Sequence, residues 1–346
     1  MLLLFYNLAH IGDLFEIQQI VLNIIRCNPE KNIKFYTNYN HFILNDISNN
    51  LLFQPQDYSN PEIIPTINWF IQTFYQEPEA NYRMIQLPNK EPCLIVNTCL
   101  MRLHRFKQVT EMDPWSFQES YLMQLEEMRQ KLNIDIKYTK LSALQLLPQI
   151  PATNIDLFLK WKATNTRPTL FYYNILRRSN QQVPCMIFEE HEEVILHIAA
   201  LNPNYSIIVC KLTDGLKNNP NIISCEDSFD CKEVYSCENV YKINKILCQC
   251  DYSVHYDIGT CMTYINTDFY SRKNKLLHFY IEGQIYYHTL TGFLSRIMPL
   301  DTRIEGIKCK TLADVKAYFS ENLLAATTTT TTKATPSSAT TFRLIV

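Results

Sequence analysis

The chain has 346 residues, 47% of them hydrophobic. That is enough to bury a substantial core and, at roughly 100 to 200 residues per domain, to divide into two units. A formal net charge of −2, with no stretch dense in Lys and Arg, excludes the electrostatic footprint of a nucleic-acid binder. The apolar start Met1 to Tyr6 lacks a basic leader and a small-residue cleavage site, and Asp13 interrupts it well short of a membrane span. It therefore reads as a buried strand, and a cytoplasmic location is expected, with peripheral contact to a membrane surface left open.

Leu2 to Ala9 leads into Ile11-Gly12-Asp13, after which Leu14, Ile17, Val21, Ile24 and Ile25 recur at helical spacing. Asn28-Pro29-Glu30 breaks that helix before a second strand, Asn32 to Thr37. A right-handed crossover makes the two strands parallel. The stretch from Ser48 to Pro88 is rich in Asn, Gln and Pro, with one helix expected around Pro65 to Tyr75. Cys93 to Asn97 is a short apolar strand, and Trp115 to Leu132 carries helical periodicity through Phe117, Tyr121, Leu125 and Met128.

Three prolines and the polar run Ala163 to Arg167 mark 151–167 as a linker between a first unit, 1–150, and a second, 168–324. The second unit alternates again: strand Thr169 to Tyr173, helix Ile187 to Leu201, strands Tyr205 to Cys210 and Ile222-Ile223, helix Asn239 to Cys248, and strand Tyr252 to Tyr256. Leu276 to Ile281 follows as a strand and Thr311 to Leu323 as a closing helix. The expected class is doubly wound α/β twice over: two Rossmann-like units facing one cleft. Residues 325–346 include six consecutive threonines and are expected to stay disordered.

Twelve cysteines scattered through a chain without a secretion signal read as reduced, mostly buried thiols. Cys225, Cys231, Cys237, Cys248 and Cys250 are the densest group, but no Cys-x-x-Cys pair occurs among them, so no metal is expected.

Two of the six glycines stand where an apolar strand meets a helix, at Gly12 and Gly259. A helix N-terminus there offers unpaired N–H groups to an anion, most simply a phosphate. Asp13 would project beyond the carboxyl end of the first strand, where ligands collect in open α/β sheets, and a carboxylate there can take a proton from an acceptor hydroxyl. Capping of the helix accounts for the same residues without chemistry. His10 shares the loop as a second candidate base or phosphate ligand.

In the second half, Asp257-Ile258-Gly259-Thr260 would hold a diphosphate on backbone N–H groups without a lysine. Arg177 and Arg178, following the first strand of that half, would neutralise a leaving phosphate, against the plainer reading of a solvated surface. Glu282 follows another strand and would touch a sugar or ribose hydroxyl, or simply belong to a turn. Glu226, Asp227 and Asp230 imitate a divalent-metal cluster but read better as a solvated loop.

Ile11-Gly12-Asp13-Leu14, the Asn28-Pro29-Glu30 break before Asn32-Ile33, and the segment Cys250 to Thr260 together resemble the heptosyltransferase-like members of glycosyltransferase family nine. The resemblance implies the GT-B fold and transfer of a sugar, with inversion, from a nucleotide-sugar donor to a glycan or glycoconjugate hydroxyl, with no required cofactor. It implies Asp13 as the base, Asp257, Gly259 and Thr260 at the donor diphosphate, and the loop of Arg177 and Arg178 at phosphate. The chain departs from the family pattern at Ile258, where Thr or Ser is usual, and at Met262, where His is usual. Two other readings stay open: a nucleotide-sugar epimerase of the same architecture, and a nucleotide-sugar or glycan-binding scaffold. A nicotinamide dehydrogenase is disfavoured because no G-x-G-x-x-G follows either strand.

Overall fold

The computed structural model describes residues 1–7, 11–37, 82–87, 89–98, 115–142, 145, 152–174, 188–232, 237–256, 275–281 and 304–322. The helix expected at 65–75 and the tail at 325–346 lie outside them.

The first unit holds β1 (Leu2–Asn7), α1 (Ile11–Cys27), β2 (Asn32–Thr37), β3 (Tyr82–Gln86), β4 (Pro92–Asn97) and α2 (Trp115–Leu132). Its sheet runs β2-β1-β4-β3. β1 pairs parallel with β2 and β4, whereas β3 is an antiparallel edge on β4. β1 is central and buried from Leu2 to Tyr6, which is why it reads as an uninterrupted apolar run rather than an alternating one. Ile17, Ile20, Val21 and Ile24 of α1 cover the sheet together with Leu125 and Met128 of α2.

Asn28 does more than end α1. Its Nδ2 donates to the Ile24 carbonyl and to the Lys137 carbonyl, both at 2.7 Å, while its Oδ1 accepts from the Lys137 N–H at 2.9 Å. Asn23 accepts from the Thr139 N–H at 3.0 Å, so the extended segment after α2 is latched to the end of α1.

The second unit comprises α3 (Asp156–Thr164), β5 (Thr169–Tyr172), α4 (Phe188–Leu201), β6 (Ser206–Val209), β7 (Ile222–Ser224), α5 (Cys225–Ser228), α6 (Cys237–Cys248), β8 (Tyr252–Tyr256), β9 (Lys275–Ile281), β10 (Ile304–Cys309) and α7 (Leu312–Glu321). Its sheet runs β10-β9-β8-β5-β6-β7, every pair parallel. Counted from β5 as the first strand, that is the order 3-2-1-4-5-6 of the dinucleotide-binding sheet, so the order reverses between β5 and β8.

Within the stretch expected as a linker, residues 156–164 form α3. Phe158, with no exposed surface, and Trp161 pack against Phe229 at ring-centroid distances of 5.2 and 5.6 Å, anchoring α3 to the second core. The prolines and polar run flank this helix and hide its aromatic pair three residues apart. α6 is shared: Ile243, Ile246 and Leu247 belong to the second core, whereas Val240 and Tyr241 join the core of the first sheet. α7 closes the fold with a capping box between Thr311 and Asp314. Among the described residues no helix is long and apolar enough to cross a membrane.

Candidate functional site

Because its pairs are parallel, the second sheet has all its carboxyl ends along one edge. The segment with Arg177 and Arg178 leaves β5, that with Asp257, Gly259 and Thr260 leaves β8, and Glu282 follows the last residue of β9. These three strands are consecutive neighbours in the sheet, and the reversal of strand order falls between β5 and β8. Such a reversal opens a crevice in which ligands of α/β sheets bind. Arg177, Arg178, Asp257, Gly259, Thr260 and Glu282 themselves lie outside the described residues, as does His10.

In the first sheet the order reverses at β1, flanked by β2 and β4. Gly12 and Asp13 are the second and third residues of α1, in its first turn at the carboxyl end of β1. Gly12 thus belongs to the helix rather than to a turn before it. Thr98 ties the neighbouring strand to this edge by donating from Oγ1 to the Tyr6 carbonyl at 2.8 Å.

The described residues nearest the edge of the second sheet form a polar network that residue patterning did not single out. Tyr172 ends β5 and Tyr256 ends β8, on the sheet face that otherwise carries Leu170, Val254, Leu277 and Phe279. Their hydroxyls lie 2.6 Å apart, and the Tyr172 hydroxyl is 2.7 Å from Nδ1 of His191 in the first turns of α4. The His191 ring meets Tyr256 edge-on at 4.7 Å. Burial, and next the neighbouring Tyr256, push Tyr172 well above the usual phenol range, and burial brings His191 down to about 4. At neutral pH the network is uncharged.

On the opposite face His255 and His278 are cross-strand register partners, and Tyr173 stacks on His255 at 6.2 Å. Burial lowers His278 to about 4, and burial together with His278 lowers His255 further still below its ordinary value.

Two clamps fix the loops beside this edge. Asn174, 1% exposed at the start of the arginine segment, accepts from the N–H groups of Cys210 and Lys211 and donates to the Lys211 carbonyl at 2.7 Å. Farther along the loop after β6, Thr213 donates to Glu192 at 2.5 Å. Gly215 lies under that same carboxylate: a Cβ there would come within 1.7 Å of Glu192 Oε1. Any side chain at this position would make the Glu192 carboxylate move away from Thr213.

The acidic trio resolves into structural roles. Ser224 caps α5 through the Asp227 N–H at 3.2 Å, Glu226 pairs with Lys211 at 3.5 Å, and Lys242 donates to the Asp230 carbonyl at 3.0 Å. Cys27, Cys93, Cys210 and Cys309 form no disulfide, nor do Cys225, Cys231, Cys248 and Cys250, which lie in the second core. Burial raises Cys250 to about 12 and Cys225 well above the usual thiol range, which keeps both protonated and unreactive. Among the described residues no three His, Cys, Asp or Glu side chains gather to hold a metal ion.

No family model matches the sequence, and no curated protein matches it. The chain is similar in structure to the family 9 glycosyl transferase of Veillonella parvula DSM 2008, at 10% identity and a TM-score of 0.43, with 94% of this chain and 90% of the other covered. It is also similar to the E. coli heptosyltransferase WaaC solved with ADP-2-deoxy-2-fluoro heptose, at 11% identity and 0.39, covering 93% and 99%. E. coli ADP-heptose lps heptosyltransferase II gives 11% and 0.36, covering 93% and 98%.

Proposed function

We propose that the chain is a glycosyltransferase that moves a sugar from a nucleotide-sugar donor to the hydroxyl of a glycan or glycoconjugate acceptor. The observation that carries this reading is the strand order of the second sheet. β5 and β8, the strands that the arginine segment and the Asp257–Thr260 segment follow in sequence, are neighbours on either side of the reversal. The first unit, 1–150, takes the acceptor side, and the second, 168–324, takes the donor.

In the reaction, the Asp13 carboxylate removes the acceptor hydroxyl proton as the oxygen attacks the anomeric carbon from the face opposite the leaving group. The new C–O bond forms while the bond to the donor phosphate breaks, and the electron pair leaves with the nucleoside diphosphate. Arg177 or Arg178 and the N–H groups at Gly259 and Thr260 stabilise that charge. His10, three residues before Asp13, is a second candidate base, and Asp257 and Glu282 would contact the donor. No metal is needed in this scheme, so turnover persists in the presence of a chelator. The scheme is compatible with peripheral contact to a membrane surface from the cytoplasm.

The test is to incubate the protein with a panel of nucleotide sugars and candidate acceptors and to follow release of nucleoside diphosphate, comparing Asp13→Ala. Release that depends on one donor and is lost in the variant supports the reading. Donor binding without turnover on any acceptor, unaffected by Asp13→Ala, points instead to a binding scaffold.

A further inference from the structure

We propose that Tyr172, Tyr256 and His191 are positioning residues that hold the two donor-binding segments at a fixed spacing and so set the affinity for the nucleoside diphosphate. The inference rests on the reading of this edge as the donor site, and deepens it.

The three side chains occupy the three places where the proposed seat is attached to the scaffold. Tyr172 lies five residues before Arg177, Tyr256 immediately precedes Asp257, and His191 stands on the helix into which the arginine segment leads. Each is at most 5% exposed. The two hydroxyls sit on a sheet face whose other side chains are mostly apolar, Leu170, Val254, Leu277 and Phe279 beside Tyr252. A hydroxyl moved from water into such surroundings is costly unless it is bonded. These two satisfy each other, and Tyr172 also reaches His191, so a single oxygen joins β5, β8 and α4.

The bonds are directional as well. A phenylalanine pair would tolerate a slip of β5 against β8, whereas a 2.6 Å contact between hydroxyls and a 2.7 Å contact to an imidazole nitrogen would not. The register at this point supports the same demand: Tyr172 stands opposite Val254, and the Tyr173 N–H donates to the Val254 carbonyl at 3.1 Å. The hydroxyl pair of Tyr172 and Tyr256 adds a directional tie between the same two strands. Neutral His191 gives Tyr172 an acceptor or donor without bringing a charge into the core, which leaves the seat's positive charge to the arginines.

The experiment measures binding of ADP, UDP and GDP to the full-length chain by calorimetry, alongside thermal unfolding. Tyr172→Phe severs both bonds at constant shape; Tyr256→Phe severs one and is the milder variant if the first folds poorly. Tyr318→Phe on α7 is the stability control, removing a hydroxyl that donates to Glu305 of β10 at 2.8 Å.

The expected result is about tenfold weaker binding of whichever nucleotide the unsubstituted protein takes, for Tyr172→Phe. Tyr256→Phe falls between, and Tyr318→Phe lowers the unfolding temperature with affinity unchanged. In turnover the loss appears in the donor KM, with the acceptor KM unmoved. If Tyr172→Phe and Tyr256→Phe only lower the unfolding temperature, as Tyr318→Phe does, the positioning role is overturned while the donor site stands. If the unsubstituted protein binds none of the three nucleotides, the donor-site reading fails and the positioning role fails with it.

Discussion

The two edges of the second sheet are both tied by polar side chains, but in opposite ways. At the amino edge Asp251 accepts from the Thr169 N–H at 2.7 Å and from the Thr169 hydroxyl at 2.8 Å, with Lys162 3.6 Å away. This cluster is charged and partly open to water, and it belongs to short connections. At the carboxyl edge the ties are neutral and buried: Tyr172, Tyr256 and His191 on one face, His255 and His278 on the other. In the first sheet the latch of Asn28 on the segment around Lys137 is instead neutral and buried. Charge screened by water serves stability at modest benefit, whereas a dry network fixes the geometry of what lies beyond it. Candidate chemistry follows the second kind of edge.

That contrast can be broken most severely at Asp13. Asp13→Ala is expected to reduce turnover about 10²- to 10⁴-fold, the usual worth of a general base, with the unfolding temperature nearly unchanged. A fall in stability with turnover intact would return Asp13 to a capping role.

Acid probes the buried edge. Histidines held at about 4 in the folded chain and near their ordinary value when unfolded bind more protons in the unfolded state between those limits. Their contribution to stability is therefore complete above about pH 6.5 and is lost as pH falls toward 4. Each costs roughly 1.4 kcal/mol per pH unit over that window. Denaturant titrations from pH 7 to 4.5 should show this slope, and His278→Phe should reduce it by about one proton. A slope unchanged by that substitution would place the titration elsewhere.

Phe158→Ala tests whether α3 belongs to the scaffold. Removing this fully buried ring from its contacts with Trp161 and Phe229 should cost about 3 to 5 kcal/mol while leaving nucleotide affinity alone. Asp251→Ala, at the amino edge, should cost about 2 kcal/mol through the lost Thr169 bonds, again without changing nucleotide affinity. A change in affinity with either variant would erase the division between the edges.

The framework was legible because buried parallel strands read as apolar runs and amphipathic helices as periodic ones. β2 and β8 fall on the residues expected of them, as does α2. β3 and β10 were not expected. β10 is an edge strand carrying Glu305 and Lys308, and β3 carries half-exposed positions, so neither shows a continuous apolar signal. α3 was hidden by the prolines around it.

The carboxyl-edge network was illegible for a different reason. Tyrosine is an ordinary strand residue, and nothing local distinguishes Tyr172 or Tyr256 from a packing aromatic. Their significance arises only from pairing 84 residues apart and from His191 on a separate helix. The candidate residues that follow those strands are proposals from glycine and charge patterns in the sequence, and the sheet order makes β5, β8 and β9 neighbours.

The most direct measurement is a crystal structure of the protein with a bound nucleoside diphosphate. The account predicts the diphosphate at the carboxyl ends of β5 and β8, in contact with Arg177 or Arg178 and with the N–H groups at Gly259 and Thr260. A nucleotide bound at any other part of the sheet, or away from both Asp13 and Gly259, would contradict it.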